Sequence, residues 1–553
     1  MTPTRQPMRL RLTWWLAAIL VIGLAVRLPY LTTRSIWFDE ASSWQTANFR
    51  LAEIPESLRF SVHMPLYYLF LKAWIAIAGN SLLSLRGFSV LCGLITIGGM
   101  YLFGRALYGL TAASVAEQNS DRSAERFGLL VAALTALNAF QVSTSIEVRM
   151  YSLGTAWMAW AGWLLLRCLH QGGLVSFNEE NPLPAESHTK SWTAWVWYGV
   201  ATTGFLYTHH FAMLTVASQC VFLAGLVIFT WKSGKRTEAR RGGVSAALTL
   251  ACVGLAYLPG LSLLLHQFSR VRREYWIGPM QFWTVPYTLF HFVLPLDHKF
   301  DGRIGGAVVI VTLLCLLLGS LHVKARTGEW FLVSNMVLPL VAVAAVSWWT
   351  PIWESRYFRF AQLSWLVATV LFVERMFARR RVWRALVHGA VLAVSLATTV
   401  LFWVVREIPD RPGMRGAIHE IAQKKGDDEL IIASDNLLYF PAKYHASREA
   451  RLGIDSLRLL PPYPTMTWGW HLIRKNDLLS PDELRKGGLD GVWIVGSPPV
   501  SIRTLLNELH FSLKDTNRFE YDYGSPQWTV VVNYYRRNNR TGLVNNDVGG
   551  FPQ

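Results

Sequence analysis

The chain has 553 residues, 52% of them hydrophobic and only 16% charged, with 25 Trp; this excludes an ordinary soluble enzyme and points to a polytopic α-helical membrane protein. A formal charge of +17 would suit a nucleic-acid binder, but Lys and Arg cluster in short runs between apolar stretches, as flanks of transmembrane helices do, so no nucleic acid is expected. The five cysteines (Cys92, Cys168, Cys220, Cys252, Cys315) lie in or beside apolar runs and imply no disulfide framework.

The N-terminus starts basic and continues into a long apolar run without a small-residue cleavage site, which reads as an uncleaved first helix near 13–30. Further spans are expected near 82–104, 126–144, 152–169, 193–208, 211–231, 244–265, 305–323, 329–349, 359–376 and 385–404, eleven in all. The segment 65–79, PLYYLFLKAWIAIAG, is short, is interrupted by Lys72 and suits the membrane interface. With 65–79 outside the bilayer and a cytoplasmic N-terminus, the basic loops 232–241, 324–329 and 378–384 all face the cytoplasm. The opposite choice would put the five Lys or Arg of 232–241 outside. The C-terminus is then external.

This topology gathers the polar stretches 38–44, 62–68, 146–152, 207–211, 270–279 and 353–358 on the outer face. In FDEASSW, Asp39 and Glu40 are bracketed by Trp37, Phe38 and Trp44. They read either as a solvated loop end or as a partly desolvated acid at headgroup depth, able to act as a general base. His63 suits a metal ligand, a phosphate partner or an interfacial histidine. Glu147 and Arg149, in STSIEVRMYSLG, form either a local ion pair or a fork for phosphate. His209 and His210 read as caps of a tight turn. Arg270, Arg272 and Arg273 sit where the positive-inside rule disfavours them, which suggests lipid headgroups or a substrate phosphate. Arg356, between Glu354 and Tyr357 in WESRYF, has the same two readings, and Arg27 reads as a snorkelling residue.

After residue 405 the composition turns polar. The segments 428–435, 491–497 and 528–535 read as buried strands, 414–425 as a helix, and Ser480-Pro481-Asp482-Glu483 as a helix start with a capping box. The expectation is a soluble extracytoplasmic α/β domain over 406–540 and a disordered tail over 541–553. Its role is either a lid over the external loops or acceptor recognition.

A first helix, an acidic pair and then the stretch 63–109 together resemble the GT-C membrane glycosyltransferases, most of all those related to dolichyl-phosphate-mannose-protein mannosyltransferases and lipid A aminoarabinose transferases. Family chains commonly read His-Pro-Pro-Leu-Tyr-Tyr where this one has His63-Met64-Pro65-Leu66-Tyr67-Tyr68. The resemblance extends to an acidic-x-Arg-x-Tyr element, Glu147 to Tyr151, and to Tyr207-Thr208-His209, and it covers roughly residues 10 to 375. It implies a GT-C fold and transfer of one sugar from a polyprenyl-phosphate donor to a lipid, glycan or protein acceptor at the outer face of a membrane, here taken as the bacterial inner membrane with its lipids as partners. It also implies that the acid of the first external loop serves catalysis, which maps to Asp39 with Glu40 beside it. Glu147 and His63 fall at metal or acceptor positions; a divalent metal ion is left open, with Asp39, His63 and Glu147 as its ligands if one is used. Met64 departs from the family pattern, and no arginine closely follows the acidic pair, so headgroup contacts do not carry over in detail.

The chemistry of the residues agrees. Transfer from a sugar phosphate needs a base for the acceptor hydroxyl, cations for the departing phosphate and tolerance of an oxocarbenium-like transition state. Asp39 is the candidate base, and Arg149, Arg272, Arg273 and Arg356, with Tyr357, are candidates for the phosphate. The alternative is a transporter or flippase of a lipid-linked sugar, for which midplane ionisable groups and internal repeats would be expected.

Overall fold

A computed structural model describes residues 6–29, 31–111, 120–175, 191–271, 277–295, 326–406, 413–460, 469–485, 488–520 and 529–538. The chain divides into two compact units: Met1–Thr32 with Thr46–Ile408, and Thr33–Gln45 with Pro409–Gln553.

The first unit is helical. Its described helices are α1 (Gln6–Ala25), the end of α2 (Phe38–Asn48), α3 (Glu53–Leu58), α4 (Leu66–Ala78), α5 (Leu82–Tyr108), α6 (Ser120–Leu137), α7 (Ala139–Thr144), α8 (Tyr151–Gln171), α9 (Ser191–Leu206), α10 (Ala212–Lys232), α11 (Arg236–Val271), α12 (Thr284–His291), α13 (Thr327–Ser347), α14 (Arg359–Met376) and α15 (Arg381–Arg406). Five stretches, Leu82–Tyr108, Ala212–Lys232, Arg236–Ser269, Thr327–Ser347 and Arg381–Val404, are long and apolar enough to cross a membrane. The protein is an integral membrane protein. Helix α4 has 13 residues, about 20 Å of rise, short of the ~30 Å hydrocarbon core.

α5 packs closely on α6 and α8. A Cβ at Gly99 would lie 2.8 Å from the Trp160 ring, so a glycine is what lets α5 and α8 approach, as small residues do between membrane helices. At one end of the unit Glu374 of α14, 1% exposed at its side chain, takes Arg126 of α6 at 2.9 Å, Arg384 of α15 at 3.1 Å and His388 of α15 at 2.9 Å.

Several expectations change. The apolar run 126–144 is not one helix: α6 ends at Leu137 and Asn138 caps α7, its Oδ1 accepting from the Gln141 N–H at 3.1 Å. Arg27 does not snorkel. It is 1% exposed, and its guanidinium donates to Ser145 Oγ at 2.7 Å and to the Ala136 carbonyl at 2.9 Å, because buried acceptors lie closer than water. The stretch 38–44 is the start of a helix and not an irregular loop. The expected span 305–323 lies outside the described residues.

The second unit holds a five-stranded sheet, β1 (Glu429–Ala433), β2 (Leu457–Leu459), β3 (Gly491–Val495), β4 (Phe511–Glu520) and β5 (Thr529–Arg537), in the order β2-β1-β3-β5-β4. β1 runs parallel to β2 and β3, while β5 is antiparallel to β3 and β4. Helices α16 (Gly413–Lys424), α17 (Asn436–Ala446), α18 (Pro481–Arg485) and α19 (Val500–Glu508) complete it. The helix start at Ser480 is as its residues dictate: the Ser480 N–H donates to Glu483 Oε2 at 2.8 Å. Ile432, Val492, Ile494, Leu506 and Phe511 form its core.

The first residues of α2 belong to this second unit. Phe38 packs against Phe440 of α17 with ring centroids 6.0 Å apart, and Arg415 donates its backbone N–H to Ser35 Oγ at 3.0 Å. Gly469, at φ +78°, lies against both phenylalanines: a Cβ there would stand 3.0 Å from Phe440 and 3.2 Å from Phe38, and the left-handed backbone itself favours glycine.

Candidate functional site

Four segments of the first unit converge. The segment 145–150, between α7 and α8, turns tightly: the Arg149 N–H donates to the Glu147 carbonyl at 2.8 Å, and Ser89 Oγ of α5 donates to that carbonyl at 2.5 Å. This presents Arg149, 4% exposed, with Nη2 3.2 Å from His63 Nε2. Arginine only donates, so His63 Nε2 is the acceptor. Residues 62–66 are themselves fixed, since Gln267 Nε2 of α11 donates to the His63 carbonyl at 3.1 Å and the Leu66 N–H to the Tyr207 carbonyl at 3.1 Å.

The third segment is the turn 207–211 between α9 and α10. His209, 6% exposed, accepts from the Phe211 N–H at Nδ1, 3.1 Å, and packs against Tyr151 at 5.3 Å, Phe360 at 5.4 Å and Tyr357 at 5.7 Å between centroids. His210 Nε2 meets Gln267 Oε1 at 2.6 Å. Burial, the neighbouring His210 and the charges of Arg149, Arg359 and Arg356 hold the His209 imidazole well below the usual histidine range. Burial lowers His210 to about 4 against the opposing hydrogen bond to Gln267.

The fourth segment is WESRYF, which ends in a 3-10 turn, Ser355–Phe358. Trp353 Nε1 donates to Thr288 Oγ1 of α12 at 2.8 Å, and the Thr288 and Ser355 hydroxyls are 3.0 Å apart. Arg356 lies 3.9 Å from Glu354, and Arg359 stands over Tyr151 at 4.6 Å and Phe140 at 5.2 Å. Beneath it a buried amide network, Gln141 to Gln362 at 2.6 Å and Gln362 to Asn138 at 3.0 Å, ties α7 to α14. A satisfied network of this kind rigidifies what it joins.

These segments border a cavity of about 220 Å³. Leu264 and Phe268 of α11 and Ala342, Val343 and Val346 of α13 supply apolar wall, and His63, His209, His210, Gln267 and Tyr357 supply its polar lining.

Of the residues singled out in the sequence, His63, Arg149, Arg356 and Tyr357 come together here, and Glu147 is buried beside Arg149 in the chain. Arg272 and Arg273 lie outside the described residues. Asp39, half-buried, and Glu40, fully buried, occupy the first turn of α2 in the second unit, where acids favour a helix start. Arg359 and His209 were not chosen. Arg359 is the first residue of the expected span 359–376 and His209 reads as a turn cap, although both adjoin motifs already marked.

The His63 Nε2 lone pair is engaged by a cation, and among the described residues no group of three His, Cys, Asp or Glu is placed to hold a metal ion.

In fold the chain is similar to solved structures of GT-C membrane glycosyltransferases. ArnT from Cupriavidus metallidurans is similar in its apo state, with TM-score 0.57 and 14% identity over 94% of this chain and 98% of that one. The same protein bound to undecaprenyl phosphate gives TM-score 0.55 and 15% identity over the same shares. AglB from Archaeoglobus fulgidus, an oligosaccharyltransferase, matches more loosely, with TM-score 0.48 and 10% identity over 87% of this chain and 69% of that one. No family model matches the sequence, and no curated protein does.

Proposed function

We propose that this protein transfers a sugar from a polyprenyl-phosphate-linked donor to an acceptor at the extracytoplasmic face of the membrane. The observation that carries the proposal is the cavity of about 220 Å³, whose wall is aliphatic and aromatic and whose polar lining adjoins Arg149, Arg356 and Arg359. An isoprenoid phosphate has this division of character, an apolar chain ending in an anion. The fold's occurrence in ArnT, solved with undecaprenyl phosphate, supports the same ligand class.

The chemistry follows from the residues. The acceptor hydroxyl oxygen forms a bond to the anomeric carbon as the bond from that carbon to the phosphate oxygen breaks. The electron pair leaves with the polyprenyl phosphate, whose charge the three guanidiniums stabilise. Asp39, with Glu40 beside it, is assigned as the base that takes the hydroxyl proton. Its support is the acidic pair after the first helix and the family resemblance.

The proposed topology has eleven spans, a cytoplasmic N-terminus and an extracytoplasmic soluble part after residue 405, in a bacterial inner membrane. Exposed tryptophans support the positions of the span ends, though not their orientation: Trp14, Trp15, Trp231, Trp330 and Trp383 fall at ends on one side and Trp348 and Trp349 at an end on the other, as two aromatic belts would require.

Purified protein incubated with labelled polyprenyl-phosphate sugars and membrane extract should move label into a new glycosidic product. Label that crosses a proteoliposome bilayer on unchanged lipid would instead identify a transporter.

A further inference from the structure

His209 has no task in the transfer described above, yet it lines the cavity and is only 6% exposed. The Phe211 N–H, 3.1 Å away, occupies the lone pair of Nδ1, so the imidazole proton sits on Nε2. No described residue accepts from that Nε2–H. Tyr151, Phe360 and Tyr357 pack around the ring at centroid distances of 5.3 to 5.7 Å and keep it from turning.

A second proton would have to enter at Nδ1 and break the bond to Phe211. It would also add a positive charge where Arg149 from the segment before α8, Arg356 from the 3-10 turn and Arg359 from α14 already act on the ring, with His210 adjacent. The electrostatics therefore agree with the geometry.

We infer that His209 is a neutral hydrogen-bond donor, its Nε2–H serving an oxygen of the ligand's phosphate group, and not a proton carrier. This rests on the lipid-phosphate reading. The arginines supply the charge, while a locked N–H supplies direction, and a neutral imidazole used as a donor is a known way to polarise oxygen without titrating.

The test is binding of an isoprenyl phosphodiester, a monoanion throughout the range used, to the purified full chain in detergent. Wild-type affinity should vary by no more than about twofold between about pH 5.5 and 8, across the ordinary histidine pKa. His209→Gln keeps an N–H near the Nε2 position and should bind within about threefold of wild type, whereas His209→Phe should lose about tenfold or more, as expected for a hydrogen bond to a charged group.

Equal binding by His209→Phe and wild type overturns the inference. So does wild-type binding that strengthens as pH falls through about 6.5, if His209→Gln abolishes that rise, because the imidazolium would then be the working form. Should His209→Phe fail to fold, wild type and His209→Gln decide by their pH profiles. A wild type that does not bind the probe overturns the lipid-phosphate reading itself, and this role with it.

Discussion

Trp44 and Tyr444 meet edge to face, with ring centroids 5.2 Å apart and planes at 87°. Trp44 lies on the helix that carries Asp39, Tyr444 lies on α17, and both are almost wholly buried. With Phe38 on Phe440, the contact makes the acid-bearing turn part of the second unit. An aromatic pair contributes ~1 kcal/mol beyond its buried area. Tyr444→Leu should therefore speed amide exchange over residues 38–48 by about fivefold while exchange in α5 and α8 stays as it was. Unchanged exchange in α2 would mean that the contact does not hold the helix.

Asp39→Asn removes the assigned base and keeps the shape. A positioned general base contributes about 10² to 10⁴ in rate, so transfer should fall by that factor with membrane insertion and melting temperature intact. Wild-type turnover would take Asp39 out of the role. Glu40→Gln gives a useful contrast, since Glu40 is fully buried: it should lower stability at least as much as rate.

Arg149 and Arg359 should separate by chemistry. Arg149 has a nitrogen on His63 and Arg359 stacks on Tyr151 and Phe140, so a lysine cannot replace the planar group of Arg359 even though it keeps the charge. Arg359→Lys should weaken binding of an isoprenyl phosphate by about tenfold, and Arg149→Ala by about ten- to a hundredfold. Affinities equal to wild type in both variants would move the phosphate away from these residues.

The long apolar runs were legible because burial in lipid demands them: the runs 82–104, 244–265 and 385–404 fall inside long apolar helices, and 211–231 and 329–349 match such helices to within two residues at each end. Helix α2 was not. Its sequence FDEASSWQTAN has almost no apolar bias, and it forms because Phe38 and Trp44 pack on α17, a tertiary effect that local pattern does not carry. β4 was missed for a related reason. FSLKDTNRFE lies at one edge of the sheet and is largely polar, as edge strands often are. At the site, the motifs around His63, Arg149 and Tyr357 were visible in order, but Arg359 and His209 acquire meaning only once four separate segments meet.

Glu374 makes a separate prediction about stability. It joins α6 to α15 through Arg126, Arg384 and His388, and its carboxylate and the Arg384 and His388 side chains are all at least nine-tenths buried. Removing one partner of a buried ionic cluster leaves the others uncompensated and costs about 3 kcal/mol; Arg126, with a side chain 43% exposed, adds little. Glu374→Gln should lower the melting temperature in detergent by several degrees without changing isoprenyl phosphate affinity. An unaltered melt would show that the cluster is not stabilising.

In the second unit, Asp477 sets a dependence on acid. Burial alone would raise its pKa, but the Lys443 ammonium at 2.6 Å, the Arg474 N–H at 2.8 Å and a hydrogen bond with Tyr439 outweigh it and hold the carboxyl below the usual range. A carboxyl depressed in the folded state stabilises fully above its unfolded pKa of about 3.9, and that stabilisation is lost as pH falls toward and through the folded value. Amide exchange in β1 and β3 should therefore show this contribution constant between about pH 5 and 8 and weakening below about 4. Asp477→Asn, which leaves Lys443 buried without its partner, should destabilise these strands at neutral pH by about 3 kcal/mol and flatten the acid limb. An acid limb as steep in the variant as in wild type would assign the sensitivity to other carboxyls.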